Sequence, residues 1–468
     1  MKFIRIALIF IGIAVFVQNS EAQRVTDYEG NGSLGEAYAW ALGESRSLQD
    51  SDGFYVAYSF SRMMCEPCYS GTRYDSEWDR LPSVQEIVTG NRMDKAARTI
   101  QEAARRELDK HERADKIVRK EIAVLIEFDR NGRVPTDFDV TNMTSSFDFG
   151  NRSLLWLGSA SDKESIKLMA SIYDSGATTD ARKGAIWGVG MHDAPHLAIP
   201  FLSGVLTSRA SDEFRKSAAY GLGNQAVDRS LRLLRSTVFG DRSGEVSKAA
   251  VYAMGNMDLS DATKALEEIV TAGDRLTVET RKAALYALGN RDERAALTTL
   301  KHVALGDHEV EIQKAATYAI GNIDLEGAVE ALAEILDDAP KVEVQKAALY
   351  AISNNDQADA VKFLKSTAVS SKYSELAKAA VYALSNAVDE NDVSPLMDVL
   401  RESEFSEVRK AAVYSIGNHE GSAALEALKF VLENDTSTEV RKAAVHALGN
   451  MDSDEARRVL LSLITDAK

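Results

Sequence analysis

From about residue 150 onward, apolar and polar positions recur in a fixed cycle. Three copies show it: VSKAAVYAMGN at 246–256, VQKAALYAISN at 344–354 and VRKAAVYSIGN at 408–418. The closing Asn falls at 224, 256, 290, 322, 354, 386, 418 and 450, spaced by 34 once and by 32 otherwise. Weaker copies end at Gly190 (ARKGAIWGVG) and Gly158 (RSLLWLG), which extends the pattern to ten registers. Apolar positions inside the phrase follow a helical period. A second amphipathic stretch lies between phrases, as in DATKALEEIV at 261–270, GAVEALAEIL at 327–336 and SAALEALKFV at 422–431. A fixed period in this range predicts a solenoid of two-helix units, each burying an apolar face that it could not bury alone.

At 100° per residue, Val440, Ala443, Ala444, Ala447 and Leu448 share one stripe of the phrase, while Lys442, Val445, His446 and Gly449 point away. The stripe is the expected core, and its small residues let helices approach closely. Down the array the outward face carries a column of rings: Trp187, Tyr220, Tyr252, Tyr286, Tyr318, Tyr350, Tyr382 and Tyr414, ending at His446. Tyrosine combines apolar area with a hydroxyl, so these nine residues are the candidate binding surface. Rings that only pack over the neighbouring repeat are the structural alternative, and both roles are compatible.

A lysine column stands one turn earlier, at Lys183, Lys216, Lys248, Lys282, Lys314, Lys346, Lys378, Lys410 and Lys442. An acid precedes every one by three residues: Asp180, Glu213, Glu245, Glu279, Glu311, Glu343, Glu375, Glu407 and Glu439. Such i,i+3 pairs support the helix and balance the field, so the groove is expected to be mixed rather than basic. The closing Gly-Asn is expected to end each helix in the left-handed conformation. Ser353 and Ser385 replace the Gly twice, which moves that expectation onto the Asn, with an asparagine ladder between turns.

The phrase resembles the second helix of the bilin-lyase type of HEAT-like repeat, V-R-x-A-A-x-x-A-L-G, in which Val440, Arg441, Ala443, Ala444, Ala447, Leu448 and Gly449 match. The resemblance covers roughly two thirds of the chain. It implies a mainly α fold, an α-solenoid of about ten two-helix repeats over residues 150–468, with the second helix lining the concave side. That family ranges from lyase subunits to hydroxylases and scaffolds, so the resemblance implies no single activity.

Ahead of the repeats, residues 1–22 read as a signal peptide: Lys2 and Arg5, an apolar run from Ile6 to Val17, then the small residues Ser20 and Ala22. That run is too short to span a bilayer, so no transmembrane segment is expected after cleavage. Residues 23–149 read as a small α+β cap domain, with a strand at 53–64, a charged helix at 93–120 and a hairpin around Asn131-Gly132. Cys65 and Cys68 form a CxxC that follows a strand; in an exported chain this reads as a disulfide rather than a redox site.

The formal charge is −16, and removing Lys2, Arg5 and Glu21 takes away a net +1, leaving −17. A chain this acidic with balanced lysines is not expected to bind nucleic acid. Asp129-Arg130-Asn131-Gly132 lacks the alternating ligands of a calcium loop. The His-Glu dyads of a di-iron hydroxylase would occupy matching repeats, whereas His111-Glu112, His308-Glu309 and His419-Glu420 occupy unmatched positions. No metal, cofactor or catalytic residue is assigned. The expected function is an exported scaffold that binds a partner protein or peptide, periplasmic, envelope-associated or extracellular. The alternative is an enzyme or enzyme subunit, lyase-like or exchanging thiols at Cys65 and Cys68.

Overall fold

The computed structural model describes residues 25–48, 53–65, 81–90, 117–307, 309–354, 359–389, 392–419, 421–451 and 453–465. Two compact units divide the chain, Met1–Val205 and Leu206–Lys468.

The first unit is built on one sheet with strand order β1-β5-β2-β3-β4. Its strands are β1 (Val25–Asp27), β2 (Phe54–Cys65), β3 (Ile117–Phe128), β4 (Pro135–Asn142) and β5 (Ser153–Ser159). The long β2 and β3 pair antiparallel from Phe54↔Phe128 to Cys65↔Ile117. The hairpin expected around Asn131-Gly132 joins β3 to β4, its turn tied by Asp129 Oδ1 accepting from the N–H groups of Asn131 and Gly132 at 3.0 and 3.1 Å. Phe54 through Phe60 are buried without a break, so β2 has both faces covered. On one face Tyr55, Ala57, Ala123, Leu125 and Leu154 pack with Val84 and Ile87 of helix α2 (Val84–Thr89) and with Phe147 and Phe149. On β4, helix α4 (Thr179–Gly190) comes so near that a Cβ on Gly184 would stand 2.2 Å from the Phe138 carbonyl oxygen. Helices α1 (Leu34–Glu44) and α3 (Asp162–Asp174) complete the unit, and α5 (Pro195–Thr207) lies at its end.

Two expectations are corrected here. The segment RSLLWLG, read as the first weak repeat, is strand β5, parallel to both β1 and β2. The helical pairs therefore begin at Asp162 rather than at residue 150. A short apolar run fits a buried strand as well as a helix, and the sheet decides between them. Residues 117–120, placed in the charged helix, belong to β3; the rest of that helix and residues 1–22 lie outside the described residues.

The second unit is the repeat array. Its second helices, which carry the phrase, are α6 (Asp212–Asn224), α8 (Gly244–Gly255), α10 (Val278–Gly289), α12 (Val310–Gly321), α14 (Val342–Ser353), α16 (Ser374–Ala387), α18 (Ser406–Gly417) and α20 (Thr438–Asn450). After each comes the first helix of the next repeat: α7 (Asp228–Gly240), α9 (Ser260–Val270), α11 (Arg294–Gly306), α13 (Ala328–Asp338), α15 (Asp359–Ser370), α17 (Ser394–Glu402), α19 (Ser422–Asn434) and α21 (Asp454–Thr465). The alanine stripe is buried as expected, for example Ala283, Ala284, Ala315, Ala316, Ala347 and Ala348. The position of Val445 was assigned to the outward face, yet its counterparts Val251, Leu285, Thr317, Leu349, Val381 and Val413 are fully buried. Val445 itself is 41% exposed, with no further second helix over it among the described residues.

The glycines of the phrase do a different job from the one expected. Asn256, Asn290, Asn322, Asn354 and Asn418 have φ near −90°, and none of the glycines before them has positive φ. No helix of the phrase ends left-handed at these positions. Instead Gly223, Gly255, Gly289, Gly321 and Gly417 lie against Ala253, Ala287, Ala319, Ala351 and Ala447 of the next second helix. A Cβ on Gly289 would stand 2.6 Å from the Ala319 carbonyl oxygen.

Arginines, two of them buried and Arg409 partly so, add a polar lock at the turns. Arg215 donates to both carboxylate oxygens of Asp241 at 2.7 and 2.9 Å, and Arg409 does the same to Asp435 at 2.8 and 3.1 Å. Arg281 bridges Asp307 and also donates to Glu309 at 2.9 Å and to the Val270 carbonyl at 3.0 Å. Each aspartate also accepts the N–H two residues later, so it shapes its own turn while holding the previous repeat.

Close contact at the glycine seam predicts an asymmetry between glycines. Gly289→Ala should destabilise the array by about 1–3 kcal/mol, because backbone must move to admit the Cβ. Gly240→Ala, with no atom within 4 Å of the added Cβ, should be neutral or slightly stabilising. Urea unfolding followed by far-ultraviolet circular dichroism compares the two; equal midpoints would refute the seam.

Candidate functional site

The ring column follows from the packing of the second helices. Each is covered on one side by its own first helix and on another by the next second helix, which leaves a narrow outward strip. In α16 that strip is Glu375, Lys378 and Tyr382, at helical spacings of 3 and 4. Tyr252, Tyr382 and Tyr414 are 40–42% exposed, and Tyr220, Tyr286, Tyr318 and Tyr350 are half-buried. His446 is exposed at the last register. Trp187, in the first unit, is half-buried, and its indole Nε1 has no hydrogen-bond partner among the described residues.

Neighbouring rings sense one another. Burial raises the pKa of Tyr220, with further contributions from Tyr252 and Glu245. Burial likewise raises that of Tyr350, where Lys346 opposes and Tyr318 and Tyr382 add. The rings thus recur register by register, partly sunk between repeats and partly exposed.

Six lysines of the column pair with the acid three residues before them: Lys183, Lys248, Lys282, Lys314, Lys378 and Lys442, at 2.6–3.2 Å. Lys346 instead crosses to Glu375 of the following repeat at 3.1 Å, so Glu375 holds two lysines. Those lysines keep the Glu375 carboxyl below its ordinary range. The balanced field expected from the sequence is present along this strip.

One constellation escaped the sequence reading. In the first unit His192 Nδ1 lies 2.8 Å from Asp162 Oδ1, its Nε2 lies 3.0 Å from Ser165 Oγ, and Ser165 Oγ lies 2.9 Å from the Tyr58 hydroxyl. A Ser-His-Asp order of this kind can activate a nucleophile, but only where substrate can reach it. Here Ser165 is fully buried, His192 is 2% exposed, and Phe60 stacks on the imidazole with centroids 3.8 Å apart. The chain Tyr58 O–H to Ser165, Ser165 O–H to Nε2, and Nδ1–H to Asp162 satisfies every member when the imidazole is neutral. It is an internal strut joining β2, α3 and the end of α4. Spacing alone could not reveal it, because its parts come from three elements.

Cys65 closes β2 and is disulfide-bonded, while Cys68 lies outside the described residues. Of the dyads, His111-Glu112, His308 and Glu420 lie outside them too, and His419 is buried with its Nε2 3.2 Å from Ser385 Oγ. Among the described residues no group of three or more His, Cys, Asp or Glu side chains is placed to hold a metal ion. Among them, too, no helix is long and apolar enough to cross a membrane.

A family model described as HEAT repeats matches residues 199–279, 277–353, 304–385, 330–415 and 393–468. Among solved structures, human deoxyhypusine hydroxylase in complex with glycerol is 16% identical with a TM-score of 0.24, over 62% of this chain and 96% of that one. The Kap95p complex with RanGDP is 17% identical with a TM-score of 0.36, over 62% of this chain and 45% of that one. The CpcE–CpcF complex of phycocyanin lyase from Nostoc sp. PCC7120 is 16% identical with a TM-score of 0.25, over 61% and 97%. No curated protein matches the sequence.

The strut has a pH consequence. Burial lowers the His192 pKa from its ordinary 6.5 against the opposing pull of Asp162, and the Arg62 cation adds to the lowering. Below about pH 6.5 the unfolded chain takes up a proton that the folded chain resists, so this contribution to stability is present above that pH and lost as pH falls. All four tryptophans lie in the first unit, which makes their fluorescence its reporter. His192→Gln should lower the urea midpoint at pH 7.5, and the gap to wild type should narrow by pH 5.5. A gap independent of pH would show that the imidazole is not held neutral.

Proposed function

The chain belongs to the HEAT-repeat family, and from that premise we propose that it is an exported, non-catalytic scaffold that grips a partner protein along the second-helix face. The observation that carries this reading is the column of rings, repeated through the array and lying in a charge-balanced strip. Solvent-facing tyrosines at a fixed period form a surface that can bury apolar area and still satisfy hydroxyls against a polypeptide. What supports this as the concave side is packing, since second helices touch at glycines while first helices stand farther apart, and an array bends toward its tighter face. Paired lysines argue for a protein partner over a polyanion, because a nucleic acid would have to displace a carboxylate from each cation it met. The signal-like sequence of residues 1–22 supports a partner met after export.

The test removes rings from the middle of the strip. A Tyr286→Ala, Tyr318→Ala, Tyr350→Ala variant should retain its helical circular dichroism, since these rings are half-buried rather than core. Captured partner from envelope extracts should fall by about tenfold or more, as expected for loss of several aromatic anchors. Capture at the wild-type level would remove the rings from the interface.

A further inference from the structure

Three consecutive repeats combine departures that occur singly elsewhere in the array. The residue before the second helix is Ser211, Ser243, Thr277 and Ser437 in four repeats and the charged Glu309 and Lys341 in two, but Tyr373 before α16 and Phe405 before α18. Neither ring caps its helix, and they are 71% and 41% exposed. The arginine lock is also missing. Positions 26 residues apart read Arg215/Asp241, Arg281/Asp307 and Arg409/Asp435 where the lock exists. They read Ser247/Gly273 in one earlier repeat, and Gln313/Ala339, Gln345/Ser371 and Ala377/Ser403 in succession through the middle of the array. Where the locks are gone a cavity of about 800 Å³ opens across the starts of α14, α16 and α18. Val342, Tyr373, Leu376 and Phe405 supply its apolar wall, and Glu375 and Glu407 stand on its rim.

Ordinary stability does not account for this arrangement. Serine in place of either ring would remove exposed apolar surface. The backbone already suits it: φ, ψ are −105°, 110° at Tyr373 and −107°, 119° at Ser243, and −81°, 116° at Phe405 and −84°, 121° at Ser437.

Building on the scaffold reading above, we propose that this cavity receives an extended peptide segment of the partner, in which a large apolar side chain is flanked by a basic residue. Apolar walls of this volume suit one or two large side chains. Helices α14, α16 and α18 begin without a side-chain cap, as α6, α8, α12 and α20 do, and here the N–H groups of their first two residues face the cavity end as donors for the carbonyl oxygens of an extended chain. Glu375 already holds Lys346 and Lys378, and Lys372 also lines the cavity. Glu407 forms no ion pair among the described residues, and on a chain of net charge −16 it favours a basic flank. Glu375 lies on the same strip as Lys378 and Tyr382, so the cavity is the end of the ring surface nearest the helix starts.

A random dodecapeptide library displayed on phage and selected on the full chain tests this. Expected winners carry Phe, Trp, Leu or Met beside Lys or Arg. A synthetic peptide of the winning sequence should bind the Tyr373→Ser, Phe405→Ser variant about tenfold or more weakly by fluorescence anisotropy, while circular dichroism shows the fold intact. Winners without that pattern, no winners at all, or binding to the serine variant within twofold of wild type would overturn the proposal. The triple ring variant separates the two readings. Loss of peptide binding in that variant alone sinks the cavity and keeps the scaffold, whereas loss in the serine variant alone keeps the cavity and removes the ring column from peptide binding.

Discussion

The backbone of each second helix lies so near the next that any side chain at Gly223, Gly255, Gly289, Gly321 or Gly417 would strike it. That approach decides what the rest of the array can be. Alanines must fill the seam because larger residues would hold the helices apart, and positions such as Leu285 and Val381 become core because the next helix covers them. What stays outside is one strip per helix, wide enough for an acid, a lysine and a ring. The candidate surface is therefore a remainder left by close packing, and its regular spacing is inherited from the seam.

Electrostatics then follow position. Carboxylates and lysines of the strip remain in water, where pairing mainly orders side chains and evens the field. At the turns the same chemistry is used differently, because Arg215 and Arg281 are 3–5% exposed and a buried guanidinium needs its full set of acceptors. Asp241, Asp307 and Asp435 meet that need while bonding their own turns, which couples the geometry of one repeat to the placement of the next.

Much of this was legible in the sequence, and the failures have physical causes. Period, helix pairs, alanine core, the hairpin at Asn131-Gly132 and the acid-lysine pairs each depend on residues close in sequence or repeated in register. RSLLWLG was misread because a strand buried between β1 and β2 shows the same apolar run as a short helix. Gly-Asn at a helix end has a familiar local explanation, and only the neighbouring repeat reveals the contact that matters. Val445 shows no sign of the core role of its counterparts, because that role comes from a neighbouring second helix and not from residues near in sequence. The Tyr58–Ser165–His192–Asp162 strut has no sequence signature, since its parts meet only once the sheet and two helices have assembled.

The arginine locks and the aromatic cap positions were in plain view along the repeats, yet both required comparing copies for their differences rather than their likeness. A repeat array is stable when every copy obeys the same local rules, so a copy that breaks one rule tells little. Between residues 313 and 405 the lock, the cap and the seam glycine are all altered, the last at Ser353 and Ser385. Each change alone is tolerable: Ser353 Oγ bonds the Tyr350 carbonyl, and Ser385 Oγ lies against His419. Single exceptions occur elsewhere, as at Ser247 and Glu309, whereas here several fall together with exposed rings around a cavity. Local rules broken together, without a gain in packing, are where a scaffold departs from its own stability to meet something else.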